Sequence, residues 1–145
     1  MKIQTKYHGE IDIQKDTILT FEKGIPGFPD EKKFTILPLP DMTSVSVLQS
    51  VKTPGLAFVI ADPYSFFKDY TFSLDENTVE LLEVESDQDV SVFVILTVQD
   101  PFEKTTANLQ APIIVNVKSN HAKQVILNHE NYKTKTPLFG QMVKG

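Results

Sequence analysis

Hydrophobic positions along this chain come in short runs, several of them alternating with polar residues, and the runs are cut by proline and glycine. That pattern is the signature of β-strands joined by tight turns. The densest stretch lies between Val90 and Lys118. It opens with Val90-Ser91-Val92-Phe93-Val94-Ile95-Leu96-Thr97-Val98 and closes with Ile113-Ile114-Val115-Asn116-Val117-Lys118. Asp100-Pro101 and Ala111-Pro112 bound the two runs on their facing sides. The polar segment Glu103–Gln110 between them is either a displayed loop on a rigid base or a plain connector. The pattern leaves both open.

Before this stretch, Ile3, Thr5 and Tyr7 share one face, His8-Gly9-Glu10 turns, and Ile11 and Ile13 resume the alternation, which predicts a hairpin. A strand over Thr17–Phe21 runs into Lys23–Pro29, where two glycines and two prolines exclude regular structure. Phe34–Leu39 reads as a strand that Pro38 brings to an edge or a bulge. Val45–Val51 and Leu56–Ala61 form a core hairpin about Lys52-Thr53-Pro54-Gly55. Asp62-Pro63 stops it, and Tyr64–Tyr70 reads as a helical turn whose aromatics cover the core. Ser73-Leu74-Asp75-Glu76 has the form of a capping box, with Ser73 as N-cap of a helix over Leu74–Leu82. An acidic connector, Glu83–Asp89, leads into the central strand.

Past the central pair, Gln124–Asn128 fits a strand better than a helix. Asn128-His129-Glu130-Asn131 fits a turn, and Tyr132–Pro137 an edge strand. Phe58, Ile60, Phe93, Ile95 and Val115 are the expected core. Residues 1–145 thus read as one domain of the all-β class, mainly antiparallel, a small barrel or sandwich with one or two short helices.

Composition narrows the function. A chain of 145 residues that is 41% hydrophobic can bury a core. It has no cysteine, and therefore no disulfide, thiol nucleophile or thiolate metal site. Met1–Lys6 has no apolar segment behind its charges, so it does not read as a signal peptide, and no run is long enough to span a membrane. The net charge of −5 is unevenly spread. Met1–Leu74 holds nine acids against eight lysines, and Val90–Gly145 holds three against six. Asp75–Asp89 holds seven acids and no base. Arginine is absent, which argues against direct phosphate and base recognition.

Catalytic machinery is not legible. His8, His121 and His129 sit in turn-like contexts without metal-ligand spacing. Gly24-Ile25-Pro26-Gly27 lacks the lysine and helix of a phosphate loop, and no nucleophile elbow occurs. The expectation is a protein that is not an enzyme, needs no cofactor or metal, and binds a basic protein partner through its acidic segment. A small β-barrel oligonucleotide- or ligand-binding module is the alternative, and an unrecognised small enzyme a further one.

One resemblance sharpens this. Phe21-Glu22-Lys23-Gly24-Ile25-Pro26-Gly27-Phe28, Leu48-Gln49-Ser50 and Phe58-Val59-Ile60-Ala61-Asp62-Pro63-Tyr64 follow one another in a diagnostic order. Thr106-Ala107-Asn108-Leu109-Gln110-Ala111-Pro112-Ile113 and Gln124-Val125-Ile126-Leu127 complete the set. In this order and spacing the chain resembles the FliW family nearly end to end. The resemblance implies a small β-barrel-like fold, no enzymatic activity, a cytoplasmic location and a monomer when free. It implies two protein partners, flagellin and the RNA-binding translational repressor CsrA, with no direct nucleic-acid or membrane binding. Candidate partner-binding residues are Glu80, Glu83, Glu85, Asp87 and Asp89 of the acidic run, with Asp62, Tyr64 and Asn108 of the shared motifs.

Overall fold

The computed structural model describes residues 1–40, 42–128 and 130–139, so His129 and its place in a turn lie outside the described residues. Short strands dominate. In order they are β1 (Lys2–Gln4), β2 (Glu10–Asp12), β3 (Ile18–Thr20), β4 (Lys33–Pro38), β5 (Val45–Ser50) and β6 (Ala57–Ala61). After the helix α1 (Glu76–Leu81) come β7 (Val90–Thr97), β8 (Thr106–Ala107), β9 (Ile113–Asn116), β10 (His121–Gln124) and β11 (Thr136–Pro137).

Seven of these strands close into a barrel, in the order β7-β6-β5-β4-β3-β10-β9 and back to β7. A ring with an odd number of strands cannot alternate direction all the way round. One neighbouring pair must run parallel, and here it is β3 and β10, joined at His121 opposite Thr20. Every other pair in the ring is antiparallel. The parallel seam is held by the Thr20 N–H donating to the Asn120 carbonyl at 2.8 Å and by Asn120 Nδ2 donating to the Asp16 carbonyl at 2.6 Å.

Strand β7 serves two neighbours along one side. Val90–Phe93 pair with Asn116–Ile113 of β9, and Leu96–Thr97 pair with Ala107–Thr106 of β8. Between those registers only Val94 and Ile95 face the residues Asn108 to Pro112, so the partner chain swells outward there. β11 adds to the far side of β8.

Alternation along the strands produces two cores. One face of the ring strands supplies Leu19, Phe34, Leu48, Ile60, Ile113, Val115 and Ala122, with Phe21 and Ile25 from the loop after β3, and these fill the barrel. Phe21 and Phe34 meet edge to face with ring centroids 5.4 Å apart. The opposite face of β5, β6, β7 and β9 contributes Val45, Ala61, Val94, Leu96 and Ile114 to a second core. Tyr70, Leu82, Leu109, Val125, Leu127 and Leu138 cover it from outside. The N-terminal hairpin packs its Ile3 and Ile13 inward. Gln49 ties that hairpin to the barrel: it is fully buried, its Oε1 accepts from the Lys6 N–H at 3.0 Å, and its Nε2 lies 3.1 Å from the Ser50 and Pro54 carbonyls.

The loop 23–29 depends on one glycine. Gly24 has φ +69, and a Cβ there would lie 2.6 Å from the Phe28 and Pro29 carbonyl oxygens. No side chain fits that approach.

Several expectations shift. Ile60 and Val115 are buried, but Phe58, Phe93 and Ile95 are only half-buried at the barrel core. Glu103–Gln110 is not a displayed loop, because Thr105, Ala107 and Leu109 turn inward and are buried. The strand expected over Gln124–Asn128 sits earlier, at His121–Gln124. Val125 and Leu127 still dock, through N–H bonds to the Pro112 and Gln110 carbonyls at 2.9 and 2.7 Å. The helix begins at Glu76 with Asp75 rather than Ser73 as N-cap, and the Asp75 carboxylate takes the Thr78 hydroxyl instead of a backbone amide. The hairpins and the pairing of β7 with β9 are as the sequence predicts, while the edge strand expected over Tyr132–Pro137 is confined to Thr136–Pro137.

Two measurements check this packing. Phe34→Ala, at a fully buried site, should cost about 3–5 kcal/mol in urea unfolding, and Phe93→Ala clearly less. Equal losses would place Phe93 as deep as Phe34. Glu31 accepts the Ser50 hydroxyl at 2.7 Å and also the Thr53 hydroxyl. The Thr53 bond foremost, then the Ser50 bond, holds its carboxyl below the usual 4.5. The folded chain therefore releases this proton more readily than the unfolded one. The resulting stability is complete above about pH 4.5 and fades as pH falls through the lower folded value. Glu31→Gln should flatten that acid limb of the stability profile, and an unchanged limb would exclude this carboxyl.

Candidate partner-binding surface

The acidic segment folds around α1. Its last turn closes as a Schellman motif, with Val84 N–H donating to the Val79 carbonyl at 3.0 Å and Glu83 N–H to the Glu80 carbonyl at 3.2 Å. The position that turns left-handed in this motif usually belongs to glycine. Here it is Glu83, at φ +54. Asn116, 3% exposed, holds the turn from below. Its Nδ2 donates to the Leu82 carbonyl at 2.7 Å and to the Glu83 carbonyl at 3.3 Å, and its Oδ1 accepts the Lys118 N–H at 2.9 Å. Glu80, Glu83, Glu85 and Asp87 are consequently exposed on a fixed turn.

Asp89 is different and corrects the expectation of a uniform acidic face. It is 4% exposed and paired with Lys118, whose Nζ lies 3.1 Å from Oδ1. A chain reversal between β9 and β10 brings this lysine, 29 positions away in sequence, to the one acid that points inward. Asn108 is also committed inside the fold. Its Oδ1 accepts the N–H groups of Gln110 and Ala111 at 3.1 Å each, which stabilises the outward swelling beside β7.

Asp62 ends β6 and caps the one-turn helix Pro63–Ser65, accepting from the Tyr64 N–H at 3.0 Å and the Ser65 hydroxyl at 3.1 Å. That cap presents Tyr64 outward, 45% exposed, with its ring against Tyr70 at 6.0 Å. Partial burial first, and the Asp62 charge second, raise the Tyr64 phenol above its ordinary value, so it stays a neutral donor. Burial raises the Tyr70 phenol further, and its hydroxyl donates to the Leu109 carbonyl at 2.7 Å.

Asp62, Tyr64 and Asp87 meet at a groove of about 890 Å³ on the outer face of β7 and β9. Phe72, Leu74, Val84, Val90, Val92 and Ile114 supply its apolar floor, and Ser73 and Ser91 join Asp62, Tyr64 and Asp87 as polar positions around it. The structure therefore joins three of the sequence candidates at one place, while Glu80, Glu83 and Glu85 lie on the turn beside it and Asn108 elsewhere. The lining valines escaped the sequence reading. Their signal was the continued apolar character of β7 on both faces, which marks a strand covered on two sides.

Among the described residues no three His, Asp or Glu side chains come together to hold a metal. Among the same residues no helix is long and apolar enough to cross a membrane.

The family model described as FliW protein matches residues 2–138. The chain belongs to the FliW family. A protein of Bacillus licheniformis named Flagellar assembly factor FliW is 57% identical over 141 residues, covering 97% of this chain and 99% of its own. The protein of that name from Geobacillus thermodenitrificans is 56% identical over 143 residues, covering 99% of each chain. The Bacillus subtilis one is 53% identical over 141 residues, covering 97% and 99%. A solved structure titled crystal structure of the flagellar assembly factor FliW superposes with a TM-score of 0.92 at 55% identity, covering 96% of this chain and 97% of that one. The FliW fold is therefore the closed barrel described above, and every candidate residue falls inside the matched span.

Asn116→Ala should loosen the acidic turn without unfolding the barrel. It removes bonds to two carbonyls, and the loss should be about 1–3 kcal/mol. Amide exchange at Glu83 and Val84 should quicken more than in β5. Unchanged exchange there would show that the Schellman turn holds itself.

Proposed function

We propose that this protein is a flagellar assembly factor that binds flagellin in the cytoplasm. When free of flagellin, it binds the translational repressor CsrA and relieves repression of flagellin synthesis. The reading rests on similarity over nearly the whole chain to relatives that carry the name flagellar assembly factor. It works by binding rather than catalysis, as a monomer when free, and it touches neither RNA nor membrane itself.

Electrostatics supplies the mechanism. A repressor that grips RNA presents positive surface to phosphates. An acidic partner bound beside that surface repels the RNA over the ~8 Å screening length of physiological salt, without entering the RNA site. Glu80, Glu83, Glu85 and Asp87 are among the exposed acids of the segment that can do so, whereas Asp89 is paired with Lys118. The absence of arginine and the net charge of −5 keep this protein off the RNA.

Changing Glu80, Glu83 and Glu85 to Gln and Asp87 to Asn should weaken release of RNA from the repressor several-fold at low salt. The wild-type advantage should shrink as salt rises. Release is read by titrating repressor–RNA complex with each form at two ionic strengths. Equal midpoints at both would remove the acidic face from the mechanism.

A further inference from the structure

We infer that the groove between Tyr64 and Asp87 is a docking site for a helix of a partner protein, apolar along one side and flanked by lysine or arginine. The inference rests on the partner-binding reading above and adds the place and chemistry of contact.

The floor decides the form of the occupant. It is built on β7 and β9, and both are interior to a closed ring. β7 has β6 on one side and β8 and β9 on the other, while β9 lies between β7 and β10. Neither offers a free edge, so a partner cannot add a strand here and must bind through side chains. A helix satisfies its own backbone and presents only side chains, which suits a groove of about 890 Å³ with an apolar floor and a polar rim.

The walls decide its charge. The charged side chains that line the groove are Asp62 and Asp87, and no lysine lines it. Glu83 and Glu85 stand exposed on the turn that leads to Asp87. An occupant with basic flanks is matched, and one with acidic flanks is repelled. Tyr64 adds an anchor. It is a large ring, 45% exposed, and its hydroxyl makes no hydrogen bond within the described residues. A tyrosine held out by a capped turn, with a free donor, is the residue type that dominates protein interfaces. Its raised phenol keeps that donor protonated.

The test uses the full chain labelled with ¹⁵N and a designed amphipathic helical peptide of leucine and lysine. A second peptide has glutamate in place of each lysine. With the lysine peptide, amide shifts should cluster on Tyr64, Val84, Val90, Val92 and Ile114. The glutamate peptide should leave them unmoved. Tyr64→Ala and Asp87→Lys, both at exposed positions, should each weaken the lysine peptide by about tenfold, as loss of an interface anchor does. Shifts clustered elsewhere, or equal affinity of the two peptides, would overturn the proposal, as would full affinity in both variants. The same variants are run in the RNA-release titration. Groove binding with no effect of the variants on release supports the docking site and counts only against the partner reading. Release that survives while the groove stays silent overturns the docking site alone.

Discussion

Closure of an odd ring is the constraint on which the rest of this structure hangs. Seven strands cannot alternate direction around a circle, so one seam must be parallel, and the chain places it between β3 and β10. Parallel pairing is the weaker kind, and here it covers a single residue pair. The fold compensates with a side chain. Asn120, itself left-handed at φ +61, bonds back to Asp16.

Closure also explains why β7 is apolar on both faces. Its inward face meets the barrel core through Phe93 and Ile95, while Val90, Val92, Val94 and Leu96 face a second core outside the ring. The elements that cover this outer face do not cover all of it. α1 and the turn at Tyr64, whose ring packs against Tyr70, leave the acidic-rimmed groove open between them. The groove is thus a consequence of how a closed barrel is wrapped rather than a separate module.

This layout determines what the sequence could disclose. Strands with β-branched runs were legible, because burial of those runs is their only stable outcome. The face of β7 was not, since alternation carries no information when both faces are apolar. Phe93 was expected to be the deeper residue, whereas Val94 is completely buried. The helix start was misplaced by two residues because Ser73 and Asp75 are both competent caps, and the sequence does not rank them. Asp89 could not be separated from its acidic neighbours without knowing that β9 returns Lys118 to it. The burial of the loop after β7 did leave a trace in the alternating Thr105, Ala107 and Leu109, masked by the polar residues between them.

The parallel seam has a consequence in time. One of the bonds that hold it joins Asn120 to Asp16, 104 residues apart, so the ring cannot close until nearly the whole chain has been synthesised. Until then β3 carries an open edge, and the hydrophobic face it shares with β4, β5 and β6 is unroofed. Long-range closure of this kind is slow, and exposed edges are where chains associate wrongly. Loss of the segment from β9 onward would therefore leave an open, adhesive sheet, not a smaller barrel.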